Sequence, residues 1–337
     1  MGDVVLTVPV IKNLIQQYPD VQITLLTKPF FSPFFQGIPN LEIYPVDLKG
    51  THKGVKGLYT LVDELYKKQQ YDAIIDLHDV LRSRLIALFF KLKQVPVYRI
   101  DKGRKEKRAF VKQKNRTPLT HTTERYQSVF QKAGFDISLH KELLQVPDTP
   151  DTDVNTLLAP GRTPIAIAPF AAHKTKEWGL DKIQSLIKEI NDKYLVQFYL
   201  LGGGSKEISL LNSLSDQYEN VTNLAGRFSL TQELFLIQKM AVLIAMDSGN
   251  MHIASLLGVP VVSIWGGTHP DLGFKALYQP EENSLQIPVA VLPCRPCSVY
   301  GTRDCSLTEN PFACMKTIAP YAVLERLEAI GVLSGNL

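Results

Sequence analysis

The sequence has 337 residues, of which 45% are hydrophobic and 21% are charged. This length predicts two domains with separate apolar cores, and the composition excludes a largely disordered chain. The sequence has no apolar run of about 18 residues, so we predict no membrane-spanning helix. It shows no secretory signal, and its four cysteines are too few for a disulfide scaffold. We therefore expect a cytoplasmic protein.

The first half of the chain alternates apolar runs of strand length with segments of helical spacing. The predicted strands are Val21–Leu26, Leu41–Val46, Tyr71–Leu77 and Val95–Ile100. The predicted helices are Leu6–Gln17, Val55–Lys68, Leu81–Leu92 and Thr122–Lys132. Strands that alternate with helices are typical of parallel, doubly wound sheets.

The second half repeats this alternation after Val146–Thr163, a segment rich in Pro, Asp and Thr that we interpret as a linker. Its predicted strands are Pro164–Ala168, Val196–Leu201, Val221–Leu224, Val242–Met246 and Val259–Trp265. Its predicted helices are Leu180–Ile190, Lys206–Leu214, Thr231–Met240 and Met251–Leu257. The whole pattern predicts an α/β protein with two Rossmann-like domains that face a cleft, and ligands in such sheets bind beyond the carboxyl ends of the strands.

The charge is distributed unevenly between the two halves. Residues 1–150 carry 23 basic and 15 acidic side chains, whereas residues 151–337 carry 14 and 18. Eight of the basic residues lie between Lys102 and Arg116, together with one acid, Glu106. This run is either a solvated loop or a site that attracts an anion. Nucleic acid is one candidate anion, although the run contains a single aromatic residue, Phe110, and a phosphorylated glycolipid at a membrane surface is another.

The segment from Val242 to Pro270 carries the strongest motif. A buried strand is predicted to end at Asp247, and Ser248 and Gly249 then open a helix. The free N–H groups and the positive end of such a helix suit a phosphate group. His252 lies about one turn further on, and the next strand ends in the polar tip Gly266-Gly267-Thr268, which we expect to offer further backbone N–H groups to a ligand. The alternative is an ordinary N-cap followed by turns, but two polar, glycine-rich strand ends in succession favour a ligand site.

Three further features are less specific. Lys176 lies in a polar loop after a predicted strand, where a lysine can neutralise a diphosphate. Gly202–Ser205 follows another strand but does not match a dinucleotide-binding fingerprint. Four cysteines, Cys294, Cys297, Cys305 and Cys314, either bind a structural zinc ion, remain reduced thiols or form bridges on oxidation.

Together these residues resemble glycosyltransferase family 9, the ADP-heptose:lipopolysaccharide heptosyltransferases and their relatives. The resemblance rests on three segments, namely Gly2 to Pro9, the Lys176 loop and the block from Asp247 to Pro270. It implies a GT-B fold, with an acceptor-side domain at residues 1–150 and a nucleotide-sugar-binding domain at residues 160–337. Relatives carry an apolar first strand before the Gly-Asp pair, so we expect the N-terminal domain to be missing that strand because of a misassigned or truncated start.

The resemblance also implies roles for individual residues. Asp3 would be the catalytic base, and Lys176 would contact the donor phosphates during catalysis. The implied donor-binding residues are Asp247, Ser248, Gly249, His252, Thr268, Phe228 and Glu207. The basic run adds Arg104, Lys105 and Lys107 as acceptor-binding candidates, and the resemblance adds His121.

The implied function is inverting transfer of a sugar, expected to be heptose, from a nucleotide-diphosphate donor such as ADP-heptose to a lipopolysaccharide core acceptor. The family needs no cofactor and no bound metal for this chemistry, and the acceptor would be an anionic, lipid-linked glycan at the inner membrane surface. Peripheral placement at the inner face of the cytoplasmic membrane would follow. Two alternatives are an epimerase-like enzyme on the same scaffold and an inactive nucleotide-sugar-binding relative.

Overall fold

The structure is a computed structural model, and it describes residues 1–112, 117–146 and 156–333. The described chain divides into two compact units. The first contains residues 3–104 and 120–145, and the second contains the described residues within 105–119 and 146–337. Met1 groups with the first unit and Gly2 with the second. Residues 147–155, most of the predicted linker Val146–Thr163, lie outside the described residues.

The first unit contains four short strands in two parallel pairs. Strand β1 (Ile23–Thr27) pairs with β2 (Leu41–Pro45), and β3 (Ile74–Asp76) pairs with β4 (Val97–Arg99). Within the described residues each pair is a separate two-stranded sheet. These strands are mostly only partly buried, although parallel strands are usually covered on both faces.

Helices cover these strands along their apolar sides. The helices are α1 (Gly2–Val5), α2 (Val8–Gln17), α3 (Gly54–Lys68), α4 (Leu81–Leu92) and α6 (Thr122–Lys132). Leu58, Leu61 and Leu65 of α3 form a buried cluster with Phe90 of α4. Leucines at spacings of three and four lie on one side of a helix, so the sequence of α3 directs this face into the core.

The second unit contains a six-stranded parallel sheet. Its strands are β5 (Thr163–Ala168), β6 (Val196–Leu200), β7 (Val221–Asn223), β8 (Val242–Met246), β9 (Val261–Trp265) and β10 (Ser284–Gln286). Their spatial order is β7-β6-β5-β8-β9-β10. This is the doubly wound Rossmann order, in which the direction of winding reverses between the first and fourth strands, here β5 and β8.

Helices make the central strands of this sheet inaccessible to solvent. They are α7 (Leu180–Asn191), α8 (Ser205–Ser215), α9 (Leu230–Gln238), α10 (Gly249–Leu256), α11 (Ala313–Lys316) and α12 (Pro320–Ala329). Every residue of β6, β8 and β9 is buried. The continuous apolar runs that predicted these strands therefore reflect burial on both faces of the sheet.

The structure adds elements that the sequence pattern did not predict. Strand β10 and helices α11 and α12 lie in the C-terminal part, where apolar periodicity is weak. The basic run is also not simply a loop, because residues 104–111 form helix α5 (Arg104–Val111). The remainder of the run includes residues 113–116, which lie outside the described residues.

Helix α9 carries a carboxyl group that should make stability depend on pH. Glu233 is partly buried, and this burial raises its pKa from 4.5 to about 7. Its stabilising contribution is therefore complete below pH 4.5 and is lost as the pH rises through 7. We expect Glu233→Gln to raise the free energy of unfolding at pH 8 by about 1–3 kcal/mol. Chemical denaturation at several pH values would measure this gain, and a difference that did not shrink toward pH 4.5 would contradict it.

Candidate active site

Three predicted residues meet at the carboxyl ends of the strands in the second unit. Lys176 follows β5, Asp247 follows β8 and Thr268 follows β9. The Lys176 Nζ lies 2.8 Å from Asp247 Oδ2, and the Thr268 hydroxyl donates to the same oxygen at 2.8 Å. Asp247 and Thr268 are buried, and the Lys176 side chain is only 13% exposed. The loop lysine is therefore not a freely solvated charge but is held by a buried carboxylate.

This ion pair lies where the strand order of the sheet reverses. Strands β5 and β8 are neighbours. The connection after β5 leads to β6 on one side of this pair, and the connection after β8 leads to β9 on the other side. Such a reversal leaves a crevice between the two loops, which is where doubly wound sheets bind their ligands. Lys176 and Asp247 are thus placed at the position that the topology reserves for a ligand.

A helix N-terminus opens beside this pair. Ser248 is the N-cap residue of α10, with extended backbone, and its side chain makes no capping hydrogen bond. Its Oγ is buried and makes no hydrogen bond within the described residues. A buried hydroxyl without a partner is costly unless a ligand supplies one. Gly249 begins the helix, and His252 is buried one turn further on.

The tip after β9 is tightly packed. The Gly267 N–H donates to the Thr175 carbonyl at 2.8 Å. A Cβ added at Gly266 would lie 2.7 Å from that same carbonyl oxygen. We predicted that this tip offers backbone N–H groups to a ligand, but the Gly267 N–H is already used to join it to the lysine loop. The two glycines instead allow the loops after β5 and β9 to approach each other.

Arg295 is a residue of this region that the sequence pattern did not reveal. It is 1% exposed, and its guanidinium donates to the carbonyls of Gly266 at 2.6 Å and Thr268 at 3.1 Å. Burial lowers its pKa to about 10. Arg295 therefore fixes the tip that carries Thr268. In the sequence, only its position between Cys294 and Cys297 could have drawn attention to it.

Two predicted donor-binding residues lie at the carboxyl ends of β6 and β7. Glu207, in the first turn of α8, accepts a hydrogen bond from the Gly203 N–H at 2.8 Å. Phe228 is partly exposed beyond β7, and the Arg227 guanidinium lies 5.4 Å from its ring. Both belong to the same edge of the sheet as Lys176 because all these strands are parallel.

Asp3 lies in α1 of the first unit, as an exposed residue in a helix of four residues. The Tyr126 hydroxyl donates to the Asp3 carbonyl at 3.1 Å, which anchors the backbone of α1 to helix α6. This bond uses the Asp3 main chain and not its carboxylate, and the residue is exposed.

The acceptor-binding candidates have different surroundings. Arg104 lies 2.9 Å from the carboxylate of Asp79. Lys105 is exposed, whereas Lys107 is buried with its Nζ 4.1 Å from the centre of the Phe274 ring. Only Lys105 of these three therefore presents its charge mainly to solvent.

His121 is a buried N-cap residue. Its ring accepts a hydrogen bond from the Thr123 N–H, and the Glu124 carboxylate accepts one from the His121 N–H. This reciprocal arrangement is a capping box, which accounts for the position of His121 at the start of α6.

The four cysteines are free thiols in this structure. Burial raises the pKa of Cys294 and Cys297, and it raises that of Cys314 to about 11. Across the described ranges, no group of three or more His, Cys, Asp or Glu side chains has an arrangement that could hold a metal ion. The zinc interpretation of this segment therefore gains no support.

None of the described helices is long and apolar enough to cross a bilayer.

Comparisons with known sequences agree on one family. The model of glycosyltransferase family 9 (heptosyltransferase) matches residues 60–304. Lipopolysaccharide heptosyltransferase 3 of Escherichia coli K12 is 27% identical over 279 residues, which cover 79% of this chain and 80% of that protein. The lipopolysaccharide core heptosyltransferase OpsX of Haemophilus influenzae is 22% identical over 276 residues, covering 80% and 77%.

Solved structures show the same fold. A family 9 glycosyl transferase from Veillonella parvula superposes with a TM-score of 0.75 at 19% identity, covering 98% of this chain and 94% of that one. The E. coli ADP-heptose lipopolysaccharide heptosyltransferase II gives a TM-score of 0.70 at 21% identity, covering 98% and 95%. The predicted GT-B fold is thereby confirmed. Since the family match spans most of the sequence, the chain belongs to glycosyltransferase family 9, the heptosyltransferase family, and is a glycosyltransferase.

Proposed function

We propose that this glycosyltransferase transfers heptose from ADP-heptose to a lipopolysaccharide core acceptor, with inversion at the anomeric carbon and without a bound metal. The observation that carries the proposal is the Lys176–Asp247 pair beside the unpartnered Ser248 hydroxyl, at the reversal point of the Rossmann sheet. Relatives named as lipopolysaccharide heptosyltransferases support the choice of sugar and acceptor.

The donor diphosphate would bind between Lys176 and the start of α10. The Lys176 ammonium donates to the Asp247 carboxylate at 2.8 Å and more weakly to the Asp247 carbonyl at 3.5 Å, which leaves one of its three N–H groups for a phosphate oxygen. The Ser248 hydroxyl and the free N–H groups near Gly249 would complete the cradle, and the helix dipole favours the negative charge. Thr268 is buried beside Asp247, and His252 is buried within α10. Both would support the phosphate-binding side of the site.

The nucleoside would extend across the sheet toward β6 and β7. Glu207 lies in the first turn of α8, and its carboxylate, which also accepts the Gly203 N–H, would accept hydrogen bonds from the ribose hydroxyls. Phe228 offers an apolar ring beyond β7 for the adenine. This assignment gives residues 160–337 the donor-binding role and residues 1–150 the acceptor-side role.

The chemistry would be a single displacement. As the bond to the anomeric carbon breaks, negative charge develops on the leaving diphosphate, and Lys176 and the α10 terminus would stabilise it. These protein groups would perform the task that a divalent cation performs in other transferases. The Asp3 carboxylate would remove the proton from the acceptor hydroxyl, and attack opposite the leaving group inverts the configuration.

The acceptor would be an anionic, lipid-linked glycan. Residues 1–150 carry an excess of eight positive charges, which favours a phosphorylated acceptor. Of the predicted acceptor-binding residues, Lys105 has the most accessible charge, while Arg104, Lys107 and His121 would act from more enclosed positions. The protein would then work in the cytoplasm, as a peripheral protein at the inner face of the cytoplasmic membrane.

Donor selectivity provides the direct test. We expect ADP to raise the melting temperature more than UDP or GDP at equal concentration, because a ligand that binds the folded state more tightly stabilises it more. A radiolabelled ADP-heptose assay with heptose-deficient lipopolysaccharide core should then show acceptor-dependent transfer.

Other outcomes would identify the alternatives. Preferential stabilisation by UDP or GDP would overturn the heptosyl assignment. Turnover of the donor without an acceptor would indicate an epimerase-like enzyme, and ADP binding without turnover would indicate an inactive relative.

A further inference from the structure

Helix α4 is apolar around most of its circumference, yet one of its faces is exposed. Ala87 and Phe90 are buried against the core of the first unit. Leu81, Leu88 and Leu92 are nevertheless 78%, 48% and 73% exposed. The solvent-facing side of a surface helix is normally polar or charged. The outer side of α4 is therefore suited to burial against something other than its own core.

The exposed leucines form a continuous stripe. Their spacing of seven and then four residues places them on the same side of a helix. Leu85, which is partly buried, lies between them at the same angular position. The stripe therefore runs over the full length of the helix.

Helix α3 widens this stripe into a patch. It packs beside α4, with the Tyr59 ring 5.5 Å from the Phe89 ring. Its outward residues Val55, Tyr59 and Tyr66 are 60%, 52% and 38% exposed. We define the outer α3–α4 face by the exposed apolar residues of both helices, namely Val55, Tyr59, Tyr66, Leu81, Leu88 and Leu92.

Basic side chains outnumber acidic ones on the two helices, since α3 carries three lysines against Asp63 and Glu64. Helix α4 carries three basic residues, Arg82, Arg84 and Lys91, and no acidic residue. All three are exposed, and Arg84 is paired with Asp79 at 2.7 Å. The Lys93 Nζ lies 4.5 Å from the Tyr66 ring and 3.5 Å from the Asp63 carboxylate. A surface with this composition, apolar in the centre and basic at its rim, matches an anionic lipid bilayer.

We infer that the outer α3–α4 face binds the surface of an anionic lipid membrane. The leucines would enter the boundary between headgroups and acyl chains, the tyrosines would lie at headgroup depth, and the basic rim would contact lipid phosphates. A second copy of the chain is a poorer occupant, because a two-fold interface would bring the same positive rims together. The inference rests on the proposed function in one respect, because an enzyme that acts on a lipid-linked acceptor has to reach the membrane surface.

Vesicle co-sedimentation tests the apolar stripe. The probe is phosphatidylcholine vesicles with and without phosphatidylglycerol, and the protein is the full chain. We expect Leu81→Ser/Leu88→Ser/Leu92→Ser to bind anionic vesicles roughly tenfold or more weakly than the wild type. The matched control is Leu195→Ser/Leu210→Ser/Val291→Ser, which removes residues that are 42%, 39% and 70% exposed on the second unit. The control should bind as the wild type does.

A charge-reversal pair tests the rim. Arg82→Glu/Lys91→Glu should weaken binding to anionic vesicles at low salt, and the difference should decrease as salt screens the charges. Lys188→Glu/Lys316→Glu, at exposed positions of the second unit, should leave binding unchanged.

Three results would overturn the inference. The first is unchanged vesicle binding by the triple-serine variant, and the second is equal binding to vesicles with and without phosphatidylglycerol. The third is a wild-type dimer in sedimentation velocity that is absent in the triple-serine variant. The proposed function is assessed separately, because all these variants should keep the wild-type ADP-induced thermal shift and the wild-type rate with a lipid-free core oligosaccharide. Loss of transfer with intact vesicle binding would count against the proposed function alone.

Discussion

Replacing Lys176 by methionine is expected to lower the transfer rate by about 10²–10³-fold, the cost of removing one electrostatic donor from a charge-developing site. Methionine keeps the length and the apolar stem of lysine but cannot neutralise the leaving diphosphate. It also leaves Asp247, which is 8% exposed, without its cation. Repulsion between this carboxylate and the diphosphate should therefore weaken donor binding as well. Steady-state kinetics with ADP-heptose and a titration with ADP would measure both effects.

Lys174→Met is the matched control for this change. Lys174 lies in the same turn of 3₁₀ helix, but it is exposed and lies before the buried Thr175. Its replacement should change the rate by less than about threefold, since exposed charges are largely screened by solvent. If both variants were equally impaired, the loss would come from the loop as a whole. If Lys176→Met kept the wild-type rate, the assignment of the leaving-group site would be wrong.

Replacing Asp3 by asparagine is expected to lower kcat by about 10²–10⁴-fold while leaving ADP binding unchanged. Asparagine has the same shape as aspartate but does not accept a proton at neutral pH. The fold should be retained, because Tyr126 donates to the Asp3 carbonyl rather than to its side chain. Single-turnover transfer and ADP titration together would separate the loss of a base from a loss of donor affinity.

Asp20→Asn provides the comparison for Asp3. Asp20 is another exposed aspartate of the first unit, located after α2. It should show wild-type kinetics and a wild-type melting temperature. Equal activity of the wild type and Asp3→Asn would remove Asp3 from the mechanism, and a fall in melting temperature shared by both variants would indicate a general effect of lost surface charge.

The sequence determined much of the second unit because its signals are local. The run Val242–Met246 appears unchanged as β8, since a strand buried on both faces must be apolar at every position. The polar residues Asp247 and Ser248 that follow it mark the end of the strand without any tertiary information. In the first unit, the helical spacing of apolar residues likewise predicted α4 and α6 with the bounds that the structure shows.

The sequence was less informative where several weak signals compete. Basic residues between Lys102 and Arg116 suggested a solvated run, but Phe110 and Lys107 are buried on one side of α5. The buried positions are spaced by three residues, a helical period that the abundance of charge concealed. In the described residues the N-terminal strands form two separate parallel pairs, and the hydrogen-bonding partners of strands cannot be read from strand patterns alone.

Only the tertiary structure decided how the site is assembled. Lys176 and Asp247 are 71 residues apart, and the parallel neighbours β5 and β8 bring them to 2.8 Å. Arg295 reaches the Gly266–Thr268 tip from a segment of little regular structure, so no periodicity could have predicted its contacts. The sequence by itself thus determined which residues are polar at strand ends, because propensity and burial act over short distances. The strand order determined which of them meet, because that order depends on the packing of the whole sheet.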